Sequence, residues 1–224
     1  QVIQLYPQSR LVAFVYLVYA EDLYATKRYD LAERYYKKVA QFRDSEAYAY
    51  ALFQLGHCKM QPLGSNQPEY KEALRYYHQA IQATMFGTGG GPKNLAVRLR
   101  RQARLALVPA FVNIGKPSKA HAFLAKLGRG PQTEDETVAM MEALARSYLD
   151  AGMVVESTYI YKQLLSRHNQ HPDACGWASQ IYDNAHRLGS KSLIEGEGRE
   201  VRNFAQEPNR RDDPQCARLV DEPM

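Results

Sequence analysis

Long apolar runs, paired cysteine motifs and catalytic signatures are all scarce in this chain of 224 residues. No stretch approaches the roughly 20 consecutive apolar residues that a transmembrane helix needs, so no membrane-spanning segment is predicted. The sequence contains no HExxH motif, no nucleophile elbow and no convincing acid–base pair. We therefore expect a non-catalytic protein that requires no cofactor and no metal ion.

Cysteine is rare, with only Cys58, Cys175 and Cys216 in the whole chain. The three residues lie far apart and form no CxxC pair, so the usual zinc-ligand spacing is absent. Two arrangements stay open. The pattern favours isolated thiols, and the alternative is one long-range disulfide in an oxidising compartment.

Neither sign of charge dominates, since 29 basic residues face 24 acidic ones and the net charge is +5. Such a balance does not by itself indicate nucleic acid, and no nucleic-acid partner is expected. The densest basic run is "RLRRQAR", where Arg98, Arg101 and Arg104 spread over one side of a predicted helix. The usual interpretation is a solvated helix face, and the alternative is an acidic partner or anionic lipid head groups.

Strand patterns are nearly absent, whereas helical periodicity runs along the chain. Short turns join the predicted helices, which implies antiparallel pairs. The predicted pairs cover residues 10–43, 45–84, 94–128 and 134–168, and a further helix runs over 173–188. Residues 189–205 are predicted to form a capping helix and residues 206–224 a poorly ordered tail.

Small and large residues recur at fixed places in these pairs. Helix axes approach to about 8 Å only where side chains are small, so the pattern predicts where the two helices of a pair touch. The second helices open with Ala32, Ala73, Ala120 and Ser157. The matching places in the first helices hold Ala20, Gly56, Val108 and Ala145, and four positions after each opening residue come Tyr36, Tyr77, Leu124 and Tyr161.

This pattern resembles the tetratricopeptide repeat, a helix–turn–helix unit of 34 residues. The resemblance covers roughly residues 1 to 190 and implies an all-α, right-handed α-solenoid. The first pair has Lys27 where the turn glycine is usual, and no pair carries the tryptophan of the repeat. The matching residues are Leu55, Gly56, Ala73, Tyr77 and Ala80 in the second pair, and Leu144, Ala145, Tyr148 and Gly152 in the fourth.

A narrower resemblance rests on "YPQS" before the first repeat and the tyrosine-rich "RYDLAERYYKKVAQF" inside it. Both are similar to repeats of bacterial envelope proteins, such as the outer-membrane barrel-assembly lipoprotein and the periplasmic Tol-Pal coordinator. The resemblance implies a periplasmic or outer-membrane-associated protein, and a cytoplasmic location is the alternative. The opening on Gln1 suggests a piece of a longer protein.

In tetratricopeptide proteins the first helix of each pair lines a concave groove, where partners bind as peptides or helices. The resemblance therefore implies a protein partner. For aromatic residues at the groove positions, packing between repeats is the competing interpretation. The groove positions that match are Phe14, Leu17, Glu21, Tyr24, Tyr50, Phe53, His57, Leu105, Asn113 and Arg146.

Two other stretches resemble ligand-binding sites, one for phosphate and one for a metal ion, but are better explained as ordinary structural features. "FGTGGGPK", residues 86–93, follows a helix and lacks the order of a phosphate-binding loop, so we interpret it as a linker. His168 and His171 with Asp173 could hold a metal, but they lie where a helix ends, and histidine is ordinary there.

Two function classes remain open from the sequence. The first is a non-catalytic interaction scaffold in a multiprotein complex of a bacterial envelope, serving outer-membrane assembly, secretion or motility. The second is a regulatory or targeting module of an envelope or peptidoglycan-linked enzyme whose catalytic domain lies outside these residues.

Overall fold

The fold is helical throughout the part of the chain that the structure describes. A computed structural model describes residues 9–62, 67–87, 92–128, 133–210 and 212–221. Within these ranges there are eleven α-helices, two short 3₁₀ turns and no strand, so the prediction of an all-α protein is confirmed. The chain divides into two compact units, Gln1–Gly115 and Lys116–Met224, called unit 1 and unit 2 below.

Unit 1 consists of helices that pack in chain order. Its helices are α1 (Arg10–Ala25), α2 (Tyr29–Val39), α3 (Tyr48–Met60), α4 (Tyr70–Met85) and α5 (Lys93–Ile114). The first hairpin is α1 with α2 and the second is α3 with α4, while α2 also packs on α3. The long helix α5 then packs on α4 and touches α3.

Unit 2 follows the same principle. Its helices are α6 (Ala120–Ala125), α7 (Thr133–Asp150), α8 (Val154–Arg167), α9 (Ala174–Leu188), α10 (Lys191–Ala205) and α11 (Pro214–Asp221). The hairpins are α7 with α8 and α9 with α10, and α8 packs on α9. None of the helices described in either unit is long and apolar enough to cross a membrane.

The structure buries the small and large residues of the predicted pattern. Gly56 shows its physical basis, because a Cβ added there would lie 2.5 Å from the Tyr77 ring. Only glycine lets α3 come this close to α4. The four small residues that open the second helices (Ala32, Ala73, Ala120 and Ser157) are fully buried, and the large residues four positions later (Tyr36, Tyr77, Leu124 and Tyr161) are buried with them.

Two of the hairpin turns use left-handed backbone. Gly152, between α7 and α8, has φ 75°, and Lys27, at the corresponding turn of the first hairpin, has φ 60°. Lysine carries a Cβ and is strained in this region by about 1–2 kcal/mol. Lys27 therefore adopts the left-handed conformation that the turn glycine of the repeat usually adopts.

The third predicted pair, residues 94–128, is wrong as a single hairpin. The division between the units falls at Gly115, so α5 belongs to unit 1 and the following helix to unit 2. Gly115 is extended, with ψ 155°, and the 3₁₀ turn Pro117–Lys119 occupies the start of the predicted second helix. The helix α6 that follows has only six residues.

The predicted poorly ordered tail, residues 206–224, is also corrected for the part that is described. A 3₁₀ turn covers Pro208–Arg210, and α11 packs on α9 and α10. Cys216 and Leu219 of α11 are buried, and Cys216 forms a disulfide with Cys175 of α9. The polar composition concealed this helix because only a narrow stripe of it faces the core.

The predicted capping range 189–205 is occupied by α10. Gly189, with φ 67°, separates it from α9. Gly198 of α10 lies against the ring of Tyr182, since an added Cβ would be 3.1 Å from that ring. The glycine that lowers helix propensity here is therefore the residue that lets α10 approach α9.

Candidate partner-binding groove

An apolar groove of about 410 Å³ lies in unit 1 between α1, α3 and α5, with the end of α4 at its edge. These three helices are the first helices of their predicted pairs. Phe14 and Leu17 of α1 and Tyr50 of α3 line it, which brings together three of the residues that the repeat pattern placed on a concave face.

Helical spacing explains why α1 turns these side chains toward the groove. Phe14 and Leu17 are three residues apart and so share one face. Val12, Ala13 and Ala20 are buried in the hairpin, whereas Phe14 remains 41% exposed. A large aromatic ring that stays accessible in a concave apolar surface is available for contact with another molecule.

Helix α5 supplies the opposite wall, through residues that sequence reasoning did not assign to the groove. Leu95 and Leu99, four residues apart, line the groove, followed by Gln102. Leu95 is exposed as well as part of the groove lining. The face of α5 that packs instead contains Ala103, Leu107 and Ala110, all fully buried.

The basic run on α5 divides between the groove and the core. Arg98 lines the groove, and Arg98 and Arg101 are exposed. Arg104 is only 5% exposed, so its assignment to the same accessible face is wrong. Residues three apart on a helix drift by about 60° at each step, which carries Arg104 round toward the buried side.

A hydrogen-bond network fixes Tyr50 at the groove. The Glu21 carboxylate accepts from the Tyr36 hydroxyl at 2.6 Å and from the Gln54 amide at 3.2 Å. The same amide donates to the Tyr50 hydroxyl at 3.0 Å. Burial, and then the charge of Glu21, raises the pKa of Tyr50 to about 12, so this phenol stays protonated at neutral pH. Glu21 thus has a positioning role as well as its predicted place on the concave face.

Tyr24, Phe53 and His57 are not among the described residues that line the groove, and each makes aromatic contacts within its own hairpin. The Tyr24 ring packs edge-on against Tyr29, with centroids 5.1 Å apart. Phe53 stands perpendicular to His57 at 4.5 Å and lies 6.0 Å from Tyr77. These contacts hold hairpins together, and a role of the three residues in partner binding stays a prediction.

The remaining predicted residues are Leu105 and Asn113 of α5 and Arg146 of α7. Leu105 is exposed on α5, and Asn113 near the end of that helix donates to the Pro109 carbonyl at 2.8 Å. Arg146 belongs to unit 2, where it is exposed and lies 3.6 Å from the Glu142 carboxylate. Their part in binding is likewise untested by these contacts.

The histidines near the end of α8 have separate neighbours. His171 stacks on Trp177, with centroids 4.8 Å apart, and its Nδ1 lies 3.6 Å from the Asp173 carboxylate. His168 instead approaches His121, with the ring centroids 6.4 Å apart. The sequence neighbours 168 and 171 therefore belong to two different clusters.

Two regions that the sequence singled out fall largely outside the described residues. They are "YPQS", of which only Ser9 is described, and the glycine-rich stretch 86–93, of which 88–91 are not described. Ser9 caps α1, since its hydroxyl accepts from the Leu11 amide at 3.3 Å.

Comparison with known proteins gives little to add to this geometry. No family model matches the chain, and no curated protein matches it. Among solved structures, it is similar to a protein described as a kinesin light chain of Podosopora anserina with nearly identical TPR-like repeats. The match has 14% identity and a TM-score of 0.43 and covers 88% of this chain and 96% of the other. A likeness this distant carries no inference about function.

Proposed function

We propose that this chain is a non-catalytic interaction scaffold of a bacterial cell envelope, and that it holds a partner peptide in the groove of unit 1. The carrying observation is the groove itself, an apolar concavity formed by the first helices of the two hairpins of unit 1 and by α5. Phe14, Tyr50 and Leu95 supply large apolar side chains there, and such residues concentrate binding energy because they bury much area.

The charges at the groove define the chemistry of the occupant. Arg98 lines the groove, and the exposed Arg101 lies one turn further along α5. Glu46 is the acidic residue on the lining, at the α3 side. We therefore expect a segment with two or three apolar side chains and a carboxylate that reaches Arg98, bound as a helix or an extended peptide.

The Cys175–Cys216 disulfide supports the envelope location. Disulfides form and persist in oxidising compartments such as the bacterial periplasm and are rare in the reducing cytosol. Both cysteines are buried in unit 2, where the bond joins α9 to α11. This observation favours periplasmic or outer-membrane-associated residence over the cytoplasmic alternative.

Peptide selection tests the groove. A display library of random peptides selected on the whole chain should yield ligands rich in apolar and acidic residues, measured individually by fluorescence polarisation. Phe14→Ala with Leu95→Ala should weaken a selected peptide by roughly 30-fold, or about 2 kcal/mol. Both side chains are largely accessible, so the fold should survive.

Matched controls distinguish binding in the groove from nonspecific hydrophobic binding. Leu11→Ala with Val18→Ala removes two apolar side chains that are more exposed than Phe14 and Leu95 and do not line the groove, and should leave affinity unchanged. Arg98→Glu should weaken acidic ligands more than Arg101→Glu does, because only Arg98 lines the groove. Equal losses for both pairs of variants would refute the assigned surface.

The location has its own test, which is independent of peptide binding. Alkylation of thiols in intact cells of the source organism, followed by mass spectrometry, should find Cys175 and Cys216 protected as a disulfide and the protein in the periplasmic or membrane fraction. Recovery of both thiols in reduced form from the cytoplasm would contradict the envelope proposal and leave the groove proposal standing.

A further inference from the structure

Three side chains that are distant in sequence meet at one place in unit 2. His121 comes from α6, Glu134 from the first turn of α7, and His168 caps the C-terminus of α8. Each offers one ligand atom, and the three atoms all lie within 4.8 Å of one another. Neither groove binding nor the repeat pattern requires this convergence.

Each of the two imidazole rings has a nitrogen that makes no hydrogen bond within the protein. His121 Nε2 and His168 Nε2 are both buried, and neither makes a hydrogen bond. A buried nitrogen without a partner costs roughly 1–3 kcal/mol. These two nitrogens and one carboxylate form a compact group of three donor atoms.

The spacing suits a small divalent cation. Ligands held about 2.0–2.1 Å from a tetrahedral zinc ion lie roughly 3.4 Å apart. His168 Nε2 and Glu134 Oε1 are 3.4 Å apart. Glu134 is largely exposed, so its carboxylate can adjust, and the His121 ligand atom lies within 4.8 Å of the other two.

We infer that His121, Glu134 and His168 form a binding site for Zn²⁺ or a similar transition-metal ion, with a water molecule as the fourth ligand on the exposed side of Glu134. Two imidazole nitrogens and one carboxylate form a donor set that zinc prefers, whereas Ca²⁺ and Mg²⁺ prefer oxygen ligands. The ion would join three helices of unit 2, α6, α7 and α8.

A nearby cation supplies an internal check. Arg167, the residue before His168, is exposed and close enough to His121 to act on it electrostatically. Its positive charge opposes a bound cation. Replacement of Arg167 by a neutral residue should therefore tighten metal binding, an effect that adventitious binding to exposed histidines would not show.

Titration calorimetry with Zn²⁺ on the whole chain tests the site. We expect one ion per chain with a micromolar or lower Kd, and no binding of Mg²⁺ or Ca²⁺ at the same concentrations. His121→Asn and His168→Asn should each weaken binding at least 10-fold, Glu134→Gln should weaken it several-fold, and Arg167→Gln should strengthen it several-fold. With Co²⁺ as probe, the wild type should show the intense visible bands of tetrahedral coordination.

The controls are histidines elsewhere in the chain. His171→Asn and His78→Asn should leave Zn²⁺ affinity unchanged, since neither side chain belongs to the cluster. Glu134→Gln is the variant least able to disturb folding, because its side chain is 62% exposed. Unchanged affinity in His121→Asn and Glu134→Gln, or loss of affinity in the control variants, would overturn the site.

Discussion

At the scale of single residues, two glycines of unit 2 show how backbone conformation decides the effect of one methyl group. Gly152 lies in the turn between α7 and α8 with φ 75°, and Gly196 lies within α10. A Cβ added at either place would meet nothing within 4 Å. Any difference between the two substitutions therefore comes from the backbone and not from crowding.

We expect Gly152→Ala to destabilise the protein by about 1 kcal/mol, because left-handed backbone is strained for alanine. Gly196→Ala should stabilise it by about 0.5–1 kcal/mol, since alanine is the better helix former. Urea unfolding of both variants, followed by circular dichroism, measures the difference. Two substitutions that shift stability in the same direction would contradict the assigned turn.

Residue patterns foretold some positions and not others, for a physical reason. The buried places of Ala32 and Tyr36 follow from spacing within one helix, which the sequence displays directly. The burial of Arg104 does not follow from spacing alone, because it depends on which face of α5 packs against the neighbouring helices. The pairing of Cys175 with Cys216 depends on contact between α9 and α11, and no local pattern records such contact.

At the scale of elements, a group of charges joins the first hairpin to the second. The Lys59 ammonium of α3 lies 2.9 Å from the Glu33 carboxylate of α2 and 2.7 Å from Glu69, just before α4. Lys37 also reaches Glu33, at 2.7 Å. Burial alone would raise the pKa of Glu33, but hydrogen bonds from Lys37 and Lys59 outweigh it and lower that pKa.

Lys59→Met should therefore destabilise the protein by about 2 kcal/mol at neutral pH, because it leaves a buried carboxylate with fewer partners. The lowered pKa means that this stabilisation is present above the ordinary pKa of glutamate, roughly 4.3, and is lost as the pH falls through the folded value. The difference between variant and wild type should shrink accordingly in unfolding curves below pH 4.

Lys37→Met is the matched control, since its ammonium is about half exposed and its pair with Glu33 spans one helical turn. Such pairs contribute roughly 0.3–0.5 kcal/mol. If Lys37→Met proved as damaging as Lys59→Met, the link between the hairpins would not be the source of the stability.

The concave surface was foreseen at this scale only in part. The repeat pattern predicts α1, α3 and α5 as lining helices and includes Phe14, Leu17 and Tyr50 among the lining residues. It does not find Leu95 or Leu99, because the place of α5 depends on its contacts with α3 and α4. Because α5 has no hairpin partner within unit 1, the repeat pattern does not predict which of its faces is exposed.

At the scale of the whole molecule, the two units differ in how they are stabilised. Unit 2 contains the Cys175–Cys216 disulfide, whereas Cys58 of unit 1 is a buried single thiol. Burial raises the pKa of Cys58 to about 12, so it forms little thiolate and reacts slowly in disulfide exchange. Redox conditions should therefore act on one unit of the chain only.

We expect reduction of the disulfide to lower the stability of unit 2 by about 2–4 kcal/mol, as is usual for a bond that closes a loop of this length. Hydrogen exchange with and without a phosphine reductant should show faster exchange in α9 to α11 and no change in α1 to α4. The Cys175→Ala/Cys216→Ala variant should match the reduced protein and ignore the reductant. An effect of reductant on that variant would point to Cys58 instead.

The bond between α9 and α11 also determines how the chain would carry a mechanical load. Tension applied beyond Cys216 reaches α9 directly through the two sulfur atoms. The stretch between the two cysteines, which have a sequence separation of 41, then carries no tension. That stretch would hide roughly 140 Å of extended chain. In a force spectrometer, a reductant should release this length as one additional step, so that thiol chemistry decides how far the end of the molecule can stretch.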